Sequence, residues 1–596
     1  MAGLIALGVG IPALGQSSPE SILPPGFGEP APTPTPRATR SGDAPPVVRT
    51  QTLPPPAVST TPGLPPSIVG LPMPGETPTP LPTPTATPTG LMPVRYDMPP
   101  FARRSLAQVG PVDLYDGGLP ASAFGDAKGL YVEALMRSLD TPIASRWLSI
   151  ALRRALLSKV DTPAGINGAD FAAERAWLLL RMGESVSARA VVQSVDNQDY
   201  TPKLYEMAMQ SALATGDPAA LCPVVAGGVT LGRERGWLLA KAMCAGLAGT
   251  PGRVNALFKD ARKQGLRDGI DMLLAQKVAG SATGGQQAVT IEWAGVDRLT
   301  AWRFGLALAS GTDVPQELLD GTQRYVDAWR ALSPNLLTPA RAKVAERAAL
   351  RGVLSSTALV DLYGAIGEEG DNSLPEMGVA RDLQTAYSGG DVAARLSAMK
   401  SLWDAPKSPD GRYARLILTA HAAARVPVGA EGADADSIVA AMLSAGMDRS
   451  AQKWRRAVAA TSDARAMLLL ADPDSRGTTY AALSSYVGNG EAAERKRRML
   501  FAGMAGLGRM SNADIEAGAR ALDVKIGAEN AWTRAIAQAA EGNQPGTVLL
   551  LAAVGMQTPV WRGVSPEALY HITVALRSVG LEGEARMIAA EAIARL

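Results

Sequence analysis

The sequence predicts an all-α protein, a succession of antiparallel helical hairpins behind a long Pro/Thr-rich segment. Three observations predict it. Hydrophobic residues fill 46% of the 596 positions but aromatics only 5%. The core must then be built from Ala, Leu, Val and Met, which suits close-packed helices. Prolines crowd the first hundred residues, 26 of the 45, and thin out afterwards. From Leu130 onward, apolar residues recur at helical spacing and are interrupted at glycines.

The stretch Ala173–Ala190, AERAWLLLRMGESVSARA, holds the pattern in miniature: one helix, a glycine break, the start of a second helix. Further on, Glu234–Leu239 (ERGWLL) echoes Glu174–Leu179 (ERAWLL). The chain is too long for one ordinary core, so several domains or one long array is expected.

Charge and residue inventory narrow the function classes. There are 58 basic and 56 acidic residues, a net of +2, so no long-range field favours nucleic acid and no such partner is expected. Two His and two Cys rule out most His/Cys metal sites. No cofactor is expected. The chain has no G-x-x-x-x-G-K-S/T loop, no G-x-S-x-G elbow and no H-E-x-x-H pair. Nothing points to catalysis, and a non-enzymatic role is expected.

In chain order, residues 1–16 read MAGLIALGVGIPALGQ. Ala13 and Gly15 put small residues where signal peptidase needs them, and the run is too short to span a bilayer. No basic residue precedes it. Residues 1–15 are read as a signal peptide of a chain exported to the periplasm or cell envelope, with no transmembrane span. The competing reading is a mildly apolar start of a cytosolic chain. Residues 16–100 are expected to be disordered, because dense proline removes amide donors and fixes φ. Thr77–Gly90, TPTPLPTPTATPTG, is nearly an alternating Thr-Pro repeat. At about 3.1 Å per residue, eighty such residues reach on the order of 250 Å, enough for a spacer. Thr beside Pro also suits glycosylation.

Residues 101–129 read as loop with scattered apolar anchors, packed on the first helices. Beyond them the C-terminal hairpin is the clearest specimen. Ser565 suits the N-cap, Pro566 the first helical position and Glu567 the positive helix end. Leu569, Ile572, Leu576 and Val579 share one face, and Gly580 suits the left-handed stop. Leu581–Leu596 supplies the second helix. Thr201-Pro202, Asp217-Pro218 and Thr338-Pro339 are further start signals.

At four turns a Gly precedes an Ala by five positions: Gly183/Ala188, Gly446/Ala451, Gly488/Ala493 and Gly580/Ala585. The Gly closes one helix, and the small Ala lets the next approach it. This spacing resembles the turn of a tetratricopeptide-type hairpin. Over those four hairpins the chain resembles a degenerate tetratricopeptide-like or Sel1-like α-solenoid, without the full repeat of aromatic and terminal proline positions. The resemblance implies hairpins of about 30–35 residues. Each buries its apolar face on the next, leaving an extended surface for a protein or peptide partner. Polar or glycine-rich breaks fall at Gly280–Gln287, Gly370–Pro375 and Val426–Ala433. A boundary near 285 would divide a repeat region 101–285 from a second at 286–596.

Cys222 and Cys244, 22 positions apart, are the sharpest local signal. In an exported chain they are expected to form a disulfide; in a cytosolic one they would be buried, inert thiols. Trp147, Trp177, Trp237, Trp302, Trp329 and Trp454 read as packing anchors before ligand-stacking groups. His421 and His571 read as structural or surface residues, and Glu368-Glu369 as a solvated helix end. The basic clusters Lys453–Arg456 and Arg495–Arg498 read as solvated helix faces, with anionic cell-wall polymer or lipid as the alternative contact. The function expected is a binding scaffold of the bacterial envelope. The alternatives are a cell-wall enzyme or enzyme regulator on an α-superhelical frame, and a cytosolic repeat scaffold.

Overall fold

The structure, a computed structural model, describes residues 99–139, 142–281, 289–430, 432–475, 477–488 and 490–596. The expected signal peptide and nearly all of the Pro/Thr-rich segment lie outside the described residues. So do 282–288, where the boundary near 285 was placed. Pro100–Ala102 form one 3-10 turn.

Helices account for almost all regular structure in the main body. Ser145, Asn167, Thr201, Ser355, Ser462 and Ser565 each cap a helix by accepting a backbone N–H two or three residues on. Two of the expected start signals behave differently. Asp217-Pro218 opens only a 3-10 turn, Pro218–Val224, since Pro223 removes an amide donor from its middle. Thr338 is itself the first helical residue, and Leu337 stands at the cap position without a side-chain bond.

Among the described residues the only sheet is two residues deep. Gln108 pairs with Asp161 and Val109 with Val160, antiparallel. This pairing ties the 101–129 segment to the first helices, as its apolar anchors predict. Leu119 and Phe124 are buried, and Phe124 meets Phe171 edge-on at 5.6 Å.

The two ER-x-WLL stretches fold differently. Trp177 and Trp237 are both buried. In the first copy, however, Glu174 and Arg175 lie inside the helix Gly168–Arg181 and are fully buried. Arg175 donates to the carbonyls of Val109 and Ser158, both at 2.8 Å, and its guanidinium stacks on Phe171. Burial pushes it down to about 9. Glu174 receives Arg137 Nη2 at 2.7 Å and Lys203 Nζ at 2.6 Å. Burial alone would raise its carboxyl; those two cations outweigh it and hold the group below its ordinary value. In the second copy the helix starts at Gly236, so Glu234 and Arg235 lie in the approach to it.

Three of the four Gly/Ala turns share one geometry. Gly183, Gly446 and Gly580 take φ of +88°, +75° and +79°. Ala188, Ala451 and Ala585 are fully buried in the helix that follows. At the fourth, Gly488 is also left-handed, but Ala493 is the first residue of the helix Ala493–Gly506 and is only half-buried.

Gly168–Arg181 packs on Ser185–Gln193 and Pro202–Ala214, and Ala301–Ala309 packs on the latter. In a solenoid each unit meets only its neighbours. Here the last helix, Glu582–Arg595, also lies against Arg146–Leu157, Pro409–Leu418, Ala435–Ser444 and Asp463–Ala471. The main apolar core accordingly runs from Val109 to Ile593, beside a small second cluster of Phe501, Ala505 and Val524. Among the described residues no helix is long and apolar enough to cross a membrane.

Candidate functional site

Cys222 and Cys244 come together. Their Sγ atoms lie at disulfide distance, 2.01 Å, with Cα atoms 5.4 Å apart. The pair joins the Pro218–Val224 turn to the helix Gly236–Leu247. It braces the fold and faces no cavity described below.

The other sequence candidates take structural places. Trp177, Trp237, Trp329 and Trp454 are buried, and Trp147 and Trp302 are partly so, all within the main core. His421 is exposed; His571 is half-buried against Trp532 and Tyr570, and burial lowers its pKa. Glu368 and Glu369 are exposed ahead of a left-handed Gly370. The basic cluster Arg495–Arg498 divides. Lys496 is buried against Asp463 at 2.5 Å, and Arg495 donates to the carbonyls of Arg562 and Val564. Arg498 stays outside, paired with Glu494. In Lys453–Arg456, Trp454 is buried, while Arg455 pairs with Asp472 at 2.6 Å.

A cleft that sequence reading missed offers more chemistry. It has a volume of about 730 Å³ and is walled by the helices Tyr325–Leu332, Thr338–Leu350, Ser356–Glu369, Pro375–Ser388 and Pro409–Leu418, with Arg595 entering from the last helix. Its lining holds six cationic side chains against four carboxylates. Lys343, Arg347 and Arg351 recur every fourth residue and therefore form one stripe along the Thr338–Leu350 helix and its end.

The carboxylates are claimed unevenly. Asp327 receives Arg347 at 2.9 Å and Arg330 at 3.7 Å. Asp410 receives Arg595 at 2.9 Å. Glu346 forms an ion pair with Arg415, whose Nε lies 2.8 Å away without a hydrogen bond, and accepts the Tyr363 hydroxyl at 2.7 Å. Burial, with the Glu346 charge beside it, raises the Tyr363 phenol well above its ordinary value. Glu376 has an Oε2 that is buried with no hydrogen-bond partner, and Arg415 has an Nη1 in the same condition.

Arg324, Lys343 and Arg351 have neither a carboxylate nor a hydrogen-bond partner for their side chains among the described residues. Arg324 and Lys343 are exposed, and Arg351 is half-buried. Desolvation lowers Arg351 to about 10; Arg324 and Arg347 repel it further, against attraction from Asp327 and Asp410. A guanidinium under that pressure gains from an incoming anion.

The frame behind the cleft is tied together by buried hydrogen bonds. Arg146, only 3% exposed, donates to the carbonyls of Ala349, Leu354 and Ser444 at 2.8, 3.2 and 3.1 Å. It thus places a cation at the carbonyl ends of the helices Thr338–Leu350 and Ala435–Ser444. Arg153 adds a bond to the Gly352 carbonyl at 2.8 Å. Glu591 holds the start of the Arg146 helix, and Arg595, one turn on, pairs with Glu591 at 3.0 Å and reaches Asp410.

One signal for this cleft was legible. The four-residue ladder Lys343/Arg347/Arg351 marks a charged helix face in a chain otherwise balanced in charge. Its partners Arg324, Asp410 and Arg595 are too far apart in sequence to be assembled without the fold. No known protein-family model matches this chain, and no curated protein or solved structure does either.

Proposed function

We propose that this chain is a non-enzymatic docking scaffold of the bacterial cell envelope. In this reading its helical-repeat body, solenoid-like in the stacking of its hairpins, holds a protein or peptide partner in the charged cleft. The Pro/Thr-rich segment acts as a spacer between that body and the place where it works. One observation carries the reading. Three cations, Arg324, Lys343 and Arg351, face a concave surface without partners, and Arg351 is half-buried there, where unpaired charge costs stability. The cysteine pair at disulfide distance suits an oxidising compartment, and the apolar run at residues 1–15 suits export.

The test is photo-crosslinking in intact cells. A crosslinking residue replaces Val379, which lines the cleft, and the cells are then fractionated. The expected result is a discrete protein adduct in the periplasmic or envelope fraction that disappears when Arg351→Glu is added. Cytosolic recovery without any adduct would overturn the proposal.

A further inference from the structure

The docking proposal leaves the chemistry of the partner open, and the cleft constrains it. We propose that the cleft takes an acidic peptide segment in extended form, with carboxylates placed four residues apart. The inference rests on the docking reading and narrows it.

The argument is one of spacing. Lys343 and Arg351 lie two helical turns apart, so about 12 Å separates them along the helix axis. One phosphate or one carboxylate cannot reach both. An extended chain advances about 3.4 Å per residue and turns successive side chains to opposite faces, so carboxylates four residues apart match the separation and share a face. Arg324 flanks the Arg351 end: both line the cleft, and Arg324 repels Arg351. That end therefore offers two guanidinium groups with open donors, which suit bidentate carboxylate binding. The volume of about 730 Å³ falls within the range that ligand clefts show, roughly 300–1,000 Å³.

The acidic groups of the cleft fit the same occupant. Glu346 and Asp327 are already neutralised by Arg415, Arg347 and Arg330, so they do not repel an incoming anion as free carboxylates would. Glu376 lies at the second position of its helix, and its Oε2 is buried and unpaired. It accepts a peptide N–H, the one strong donor that an acidic segment repeats along its length. Arg415 Nη1, also buried and unpaired, donates to a peptide carbonyl. A bare anion has no N–H to offer Glu376.

The experiment is fluorescence anisotropy on the intact protein with capped, labelled hexapeptides. One carries two glutamates four residues apart. Its matched controls carry glutamines or lysines at those positions. Only the glutamate peptide is expected to bind, more weakly as salt rises. Arg351→Gln and Lys343→Gln should each weaken it about tenfold. Lys453→Gln, an exposed cation elsewhere, should leave it unchanged. Thermal melting of each variant confirms that it is folded. Equal binding of the glutamine peptide overturns the proposal. So does full displacement by inorganic phosphate at the peptide's own concentration, which would make this a single-anion site. If no peptide binds yet the Val379 adduct forms, the acidic assignment fails and docking stands. If the adduct is missing too, both fail.

Discussion

Glu591 accepts the backbone N–H groups of Arg146 and Trp147, at 2.9 and 3.2 Å, and the Ser145 hydroxyl at 2.6 Å. A buried carboxylate from the last helix thus neutralises the positive end of one of the first. The same Arg146 turns its side chain to the carbonyl end of the Thr338–Leu350 helix, whose stripe of cations lines the cleft. Glu591→Ala is expected to destabilise the protein by about 3 kcal/mol, since it strands several buried donors. Urea unfolding measures this. Hydrogen exchange should also quicken around residues 345–354; unchanged protection there would separate the cleft from this buried contact.

The Glu174 cluster makes stability depend on pH in a defined direction. Its carboxyl is held below the ordinary value because Arg137 and Lys203 together outweigh burial. A depressed folded pKa means that the stabilisation is fully present above the unfolded value of about 4.3 and is lost as pH falls through the folded one. Glu174→Gln should therefore cost about 3 kcal/mol near neutral pH. The gap between variant and parent should shrink as pH drops below about 4. A gap that widens in acid would contradict the sign.

Reduction of the Cys222–Cys244 pair releases a loop closed over 22 residues. Chain entropy then favours the unfolded state by about 3 kcal/mol. Melting with and without reductant should show that loss, and Cys222→Ser with Cys244→Ser should reproduce it. Alkylation of the native, unreduced protein should label neither residue.

Two glycines with nearly the same φ should respond differently to alanine. At Gly580 an added Cβ meets nothing within 4 Å, so Gly580→Ala carries only the left-handed penalty of about 1 kcal/mol. At Gly183 the Cβ would lie 2.5 Å from the Ala328 Cβ, on a helix distant in sequence. Gly183→Ala should cost about 1–3 kcal/mol more. Thermal melting of the two variants compares them directly.

These cases show what the sequence can carry. The helix starts at Thr201 and Ser565, the stop at Gly580 and the face Leu569/Ile572/Leu576 were all legible, because each depends on residues within a turn or two. The cysteine pairing was legible as a choice between two compartments. The echo ERAWLL/ERGWLL misled. Identical letters do not fix where a helix begins, and Gly236 in place of Ala176 lets the second helix start later. The contacts of Glu591 with Ser145 and Arg146, and of Arg595 with Asp410, span hundreds of residues, and no local pattern records them. The cleft was therefore visible only as one ladder of cations on one helix.

That ladder supplies the last prediction, which sets stability against binding. Arg351 is half-buried, pressed by Arg324 and Arg347, and has no partner of its own. A residue kept only for packing would not be expected to carry that strain. Arg351→Met keeps most of the side-chain volume and removes both the desolvated charge and the repulsion. It should raise stability by about 1 kcal/mol, as relief at a functional site commonly does, while it abolishes binding of the acidic hexapeptide. Arg347→Met is the contrast, because Arg347 already pairs with Asp327 at 2.9 Å. Losing it leaves that carboxylate short of a partner, so the variant should be no more stable than the parent. Urea unfolding of the two variants decides the matter: if Arg351→Met is the less stable of the pair, Arg351 supports the fold, and its place in a binding site loses its physical basis.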